Sequence, residues 1–176
     1  VGPHHLHQEL DHRLGQRLAG GHAQHALHAG IEYRGETQAV EKADAPKSPL
    51  APESPTEAQA KLRTLKLWIG AEELITEIAA SEKEITTGMM WRTKMAENEG
   101  MLFVFNENAV HCFWMKNTLI PLSIAFIRAD GTVTDIDEMQ AETTNNHCPK
   151  NNGVYALEMS KGWFTSKGIK PGMKIQ

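Results

Sequence analysis

The stretch Phe113-Trp114-Met115-Lys116-Asn117-Thr118-Leu119-Ile120-Pro121-Leu122-Ser123-Ile124-Ala125-Phe126 decides how the chain is read. Apolar residues alternate around Phe113, which puts Phe113 and Met115 on one face of a strand and Trp114 and Lys116 on the other. Pro121 cannot donate to a central ladder, so it suits the opening of a second strand. From there Leu122, Ile124 and Phe126 share one face and Ser123, Ala125 and Ile127 the other. Two strands therefore meet at an irregular corner that carries a cation, an amide and a hydroxyl at Lys116, Asn117 and Thr118. Such residues either satisfy local backbone groups or form a polar site on a rigid rim. The first reading carries more weight, because Asn and Thr at turns usually serve the backbone.

Downstream, Asp130-Gly131 is a strong hairpin signal, and Val133 and Ile136 fall out of phase, which predicts a bulge between them. Residues 139–153 form a polar loop of a length that is often functional. Residues 154–159 read as a strand, 163–168 as one helical turn, and 172–175 as a closing strand. Upstream, 110–115 reads as a strand, Asn106-Glu107-Asn108 as a turn, and 100–105 as a strand buried on both faces. Ser81 with Glu84 is a capping-box pattern that starts a helix running to about residue 90, with Gly88 inside it. Before it, Leu62 to Ile69 and Leu74 to Ile78 flank Gly70-Ala71 and predict two strands. The fold class is mainly β: a β sandwich or partly closed barrel of about eight short strands with one packed helix.

Residues 1–57 differ in composition. Seven of the nine histidines lie between His4 and His28, and aromatic and β-branched residues are scarce, so little apolar surface is available to offset chain entropy. Leu6, Leu10, Leu14 and Leu18 mark one helical face, but an isolated helix that short is marginal in water. His22, His25 and His28 step by three, a spacing compatible with a metal. A low-complexity leader is preferred, because neither acidic or Cys ligands nor a scaffold accompany them, so no metal or cofactor is expected. Pro46, Pro49, Pro52 and Pro55 punctuate an extended linker. The expected organisation is a disordered leader and linker, 1–57, and a single β-rich domain, 58–176. The net charge of -4 gives no electrostatic argument for a nucleic-acid partner. No apolar run approaches the roughly 20 residues of a membrane span, and no signal peptide is visible.

The blocks Thr87-Gly88-Met89-Met90-Trp91-Arg92, residues 100–105, Phe113 to Thr118 with Pro121-Leu122, Asp130-Gly131, and Tyr155-Ala156-Leu157-Glu158 followed by Gly162 occur in one order. In that order they resemble the bacterial and archaeal family known as domain of unknown function 192, over about residues 62–176. The resemblance implies a compact β-sandwich-like fold and no established activity, cofactor or substrate. Many members of the family are exported behind a signal peptide or lipid anchor, which implies a periplasmic or secreted home, with the cytoplasm as alternative. Met89 stands where the family usually has Leu, and Ser123 where it usually has an acid.

The polar residues that the resemblance singles out are Arg92, Lys116, Asn117, Thr118 and Glu158. With Trp114 beside Lys116 they are candidates for a small-ligand wall, against the alternative of a Lys116–Glu158 ion pair that joins two strands. Two function classes follow. One is an exported module that binds a small molecule or a protein, expected as a monomer. The other is a hydrolase-type enzyme using Lys116 with a carboxylate, Glu158 or Asp137, for which a perturbed Glu158 would speak. Cys112 and Cys148 are the only cysteines. They form a candidate disulfide that would pin the long loop to the sheet, with packed free thiols as the alternative. A Cys148–His111 nucleophilic pair is conceivable and less favoured.

Overall fold

The structure is a computed structural model that describes residues 54–176. The leucine repeat, the histidine cluster and most of the proline-spaced linker lie outside the described residues. The chain forms β1 (Thr64–Ile69), β2 (Glu72–Ala79), α1 (Glu82–Thr87), β3 (Glu99–Ala109), β4 (Leu122–Ile127), β5 (Val133–Met139), β6 (Gly153–Ser160) and α2 (Trp163–Ser166). The strands make one six-stranded sheet in the order β1-β2-β3-β6-β4-β5. The β2–β3 pair is parallel and the other neighbouring pairs are antiparallel.

Alternation along the central strands sends apolar side chains to both faces, so two cores form. One face carries Leu67, Leu102, Ala125 and Leu157, packed under Trp163, Phe164, Ile169 and Ile175. The other carries Met101, Phe103, Ile124, Phe126 and Ala156, packed under Met89, Met115 and Met139. Helices and loops cover the two faces, and the described residues contain no second sheet and no pairing of β1 with β5, so the expected sandwich or partly closed barrel is replaced by a single covered, open sheet. The packed helix is α1, and the helical turn read at 163–168 forms as α2.

The strand count is six rather than about eight. Residues 110–115 and 172–175 make only isolated bridges, Phe113 to His147, Ile69 to Ile175 and Thr132 to Lys174. The backbone of the first segment pairs with the polar loop and not with a sheet strand. There Phe113 and His147 exchange backbone hydrogen bonds of 2.9 and 2.7 Å, and the Met115 amide donates to the Thr143 carbonyl at 3.0 Å. The last segment is shared between the sheet's two edges. Gln176 exchanges backbone bonds with Trp68 on β1, and the Val133 amide on β5 donates to Met173. Residues Asn106-Glu107-Asn108 are not a turn. They extend β3 beyond a register break between Val104 and Ala109, where their side chains are exposed.

Local signals act where they were read. The capping box forms, with Ser81 Oγ accepting from the Glu84 amide at 3.3 Å and Glu84 Oε2 accepting from the Ser81 amide at 2.8 Å. The helix stops at Gly88, in contrast to its expected place inside the helix, because φ there is +47° and only glycine takes that turn cheaply. The bulge lies at Thr134, where the ladder steps from Phe126–Asp135 to Ile127–Val133. Cys112 and Cys148 are joined in a disulfide with Cα atoms 4.3 Å apart. Beside the bridge, Asp137 Oδ2 lies 2.6 Å from His147 Nδ1, so the loop is tied to β5 as well.

At Gly100 a Cβ would stand 2.6 Å from the Glu158 carbonyl oxygen and press on the Met159 sulfur. Backbone on a doubly paired strand cannot yield. Gly100→Ala is therefore expected to destabilise the domain by about 1–3 kcal/mol. Denaturant unfolding checks this, and an unchanged midpoint would show that β3 and β6 can part at this point.

Candidate functional site

The second core is not filled to the surface. A cavity of about 380 Å³ opens between α1, residues 88–90 and residues 110–114, with Glu158 of β6 among the groups that line it. Its walls include Thr87, Met90, Phe103, Phe105, Phe113, Trp114 and Thr118. Sheet geometry explains the floor. Glu158 pairs with Met101 on one side and Ile124 on the other, so its side chain follows Ala156 onto the methionine-rich face. The cavity has the size and largely apolar lining of a small-molecule site.

Glu158 is 4% exposed, and its Oε2 has no hydrogen-bond partner among the described residues. Burial pushes its carboxyl up from the usual 4.5 to about 8, so it is mostly protonated at neutral pH. A buried carboxyl with an unpaired oxygen, on a residue that lines a cavity, is a candidate ligand-binding or proton-donating group.

The rim is held by backbone. The Trp91 amide donates to the Asn117 carbonyl at 2.8 Å, and both residues adopt positive φ, 63° and 59°. For a bulky residue such as Trp91 this is a strained conformation, of the kind that collects at functional sites. The Glu142 amide donates to the Thr118 carbonyl, which ties the polar loop to the same rim.

The sequence-derived candidates divide. Trp114, Thr118 and Glu158 line the cavity, and Arg92, Lys116 and Asn117 do not. Arg92 makes a two-pronged ion pair with Glu77 of β2, at 2.7 and 2.9 Å, and the Leu62 amide donates to Glu77 Oε2 at 2.6 Å. It clamps β2 to the segment after α1. The Lys116–Glu158 pair does not form. The Lys116 ammonium stands 5.3 Å from the Trp114 ring centroid and donates to Ser54 Oγ at 3.2 Å, because the corner turns it outward over the exposed tryptophan. Asn117 gives an amide to the Met90 sulfur at 3.9 Å. Ser123 sits on the opposite sheet face from Glu158, where it donates to Glu138 at 2.8 Å and accepts from the Gly162 amide that opens α2. An acid at that position would not face the cavity.

Sequence reasoning missed Thr87, Met90, Phe103, Phe105 and Phe113 as lining residues. The spacing of Phe103 and Phe105 on one strand face was an available signal. Among the described residues, no group of three or more His, Cys, Asp or Glu is placed to hold a metal, and no helix is long and apolar enough to cross a membrane.

Comparison with known proteins follows the same stretch. The family described as Uncharacterized ACR, domain of unknown function 192, matches residues 66–176. The chain belongs to this family. A candidate transcription regulator from Sinorhizobium meliloti 1021 shares the fold with a TM-score of 0.65 at 27% identity, over 68% of this chain and 97% of that one. A protein of unknown function from Novosphingobium aromaticivorans DSM 12444 matches with a TM-score of 0.63 at 27% identity, over 71% of this chain and 94% of that one. No curated protein matches the chain. The family blocks quoted above supply much of the site: Thr87 to Met90, Phe103, Phe105, Phe113, Trp114, Thr118 and Glu158 all line the cavity.

The sign of Glu158's effect on stability follows from its shift. Below pH 4.5 both folded and unfolded chains hold the proton. Between 4.5 and 8 the unfolded chain has lost it and the folded chain has not, so unfolding releases a proton and stability falls as pH rises. Above 8 the folded group ionises too and the fall levels off. The melting temperature of the native protein minus that of Glu158→Gln should therefore decline through this window. Parallel curves would mean that Glu158 is ionised in the fold.

Proposed function

We propose that this member of domain of unknown function 192 is a non-enzymatic module that binds a small molecule in the cavity between α1 and residues 110–118. The observation that carries the reading is Glu158, which lines a cavity of about 380 Å³ and has one carboxyl oxygen, Oε2, buried without a partner among the described residues. Leaving a buried polar atom unpaired costs about 1–3 kcal/mol, and a ligand that supplies the missing bond recovers that energy. The apolar walls supply area, and Thr118 and Glu158 supply orientation.

A second reading has one observation in its favour. The raised Glu158 is poised near neutral pH, as a general acid must be. It would act without Lys116, which is turned to Trp114 and Ser54, and without Asp137, which is paired with His147. Among the lining residues His111 is the only other side chain with an ionisable ring. Binding without chemistry is therefore preferred. A nucleic-acid role, as the Sinorhizobium neighbour's description suggests for that protein, finds no support in a net charge of -4.

A screen of small fragments by NMR tests the proposal. Sugars, amines, acids and neutral aromatics are presented in turn. Binding should shift amide signals clustered at Thr87, Phe103, Phe113, Trp114 and Thr118. Shifts confined to another surface, or none for any class, would overturn the assignment of the cavity.

We further propose that the protein works in an oxidising compartment, periplasmic or extracellular. The Cys112–Cys148 bridge supports this, since both cysteines are exposed and such bonds persist where thiols are not kept reduced. Denatured, unreduced protein from its native compartment should show no free thiol. Two free thiols would remove the argument for export.

A further inference from the structure

The cavity's lining has a charge character. It holds a carboxyl and several aromatic rings, and neither lysine nor arginine is among its residues. Resting on the ligand-binding reading above, we propose that the ligand is a small organic cation, an ammonium or similar group, which seats against Phe103, Phe113 and Trp114 and pairs with the unpartnered Glu158 carboxyl.

The physical case has three parts. Aromatic faces attract cations through the ring quadrupole, most strongly when the cation is desolvated. Phe113 packs edge-on against Phe103, with centroids 4.9 Å apart, so the rings are fixed before a ligand arrives. A carboxylate inside such a lining completes the site for a positive charge, whereas an anion would meet no basic lining side chain. Lys116, outside the lining, already lies over Trp114 at 5.3 Å, which shows that this ring accepts a positive group.

Binding is coupled to a proton. The empty site holds Glu158 protonated, and a cation favours the ionised form, so each cation bound displaces the carboxyl proton to solvent. Of the groups facing the cavity from α1, residues 88–90, β3, β4 and residues 110–118, His111 is the only other one that titrates, and its Nε2 lies 2.9 Å from the Glu107 carbonyl oxygen. Cys112 is held in the disulfide. Lys116 lies outside the lining, over Trp114. With Glu158 titrating at about 8, affinity for a permanent cation should rise roughly tenfold from about pH 7 to about pH 9.

The test uses the full chain and three probes of matched shape: choline, its neutral carbon isostere dimethylbutanol, and the anion dimethylbutyrate. Calorimetry measures affinity, and runs in two buffers of different ionisation enthalpy count the proton released. Choline should bind at least about tenfold more tightly than dimethylbutanol. Its binding should release close to one proton near neutral pH and strengthen as pH rises. In Glu158→Gln the proton and the pH dependence should vanish and the preference should shrink to what the rings supply, while dimethylbutanol binding remains. Trp114→Ala, a change at a residue 46% exposed, should weaken choline more than dimethylbutanol. Equal binding of choline and dimethylbutanol would overturn the cation and leave the pocket standing. Tightest binding of dimethylbutyrate would overturn it in favour of an anion. No binding of any probe at millimolar concentration would overturn the cation and the pocket together.

Discussion

Strand β6 is hydrogen-bonded along both edges, to β3 and to β4, and covered on both faces. Everything it carries must therefore be buried. Tyr155, Leu157 and Met159 meet that demand on one face and Ala156 on the other. Glu158 does not. Its carboxyl lies in the apolar interior of a strand that has no slack to expel it, and the fold accommodates it by keeping it protonated and leaving a cavity above it. The arrangement of α1, the strained Trp91–Asn117 contact and the disulfide-tied loop can be read as the walls of that cavity. The binding reading follows from this one constraint.

The walls reach the site by different means. The helix is placed by its capping box and stopped by Gly88, whose added Cβ would stand 3.3 Å from the Phe103 ring. The strap before β1 reinforces that end, since Gln59 Nε2 donates to the carbonyls of Glu84 and Gly88 at 3.1 and 2.9 Å. The rim segment has no ladder of its own. It is held by the Phe113–His147 bridge, the Cys112–Cys148 bond and the Asp137–His147 contact. Covalent and polar ties thus substitute for the strand pairing that this segment lacks.

Much of this was legible in the residues. The alternation at Phe113 to Lys116 correctly separated a buried Met115 from an exposed Trp114, and the run at 100–105, which became part of β3, was continuous enough to imply burial on both faces. At the corner only Thr118 turns its side chain to the backbone, donating to the Lys116 carbonyl at 3.5 Å, whereas Lys116 and Asn117 reach the side chains of Ser54 and Met90. Pairing was not legible. Alternation shows which face a side chain takes and says nothing of whether a partner strand exists, so residues 110–115 and 172–175 were counted as strands. The Lys116–Glu158 contact failed for the same reason, because no local pattern tells how far apart two strands' charges lie. A lone acid inside the apolar run 154–159 was one sequence signal of the site, and its meaning depended on knowing that both faces of that strand are covered.

The central claim is that Glu158 is a buried, protonated carboxyl, and its side-chain carboxyl resonance followed by NMR across pH tests it most directly. The account predicts one titration step near pH 8. A step in the ordinary carboxylate range, near 4.5, would contradict it, because Glu158 would then be solvated or paired and the cavity would lose the group on which its function is argued.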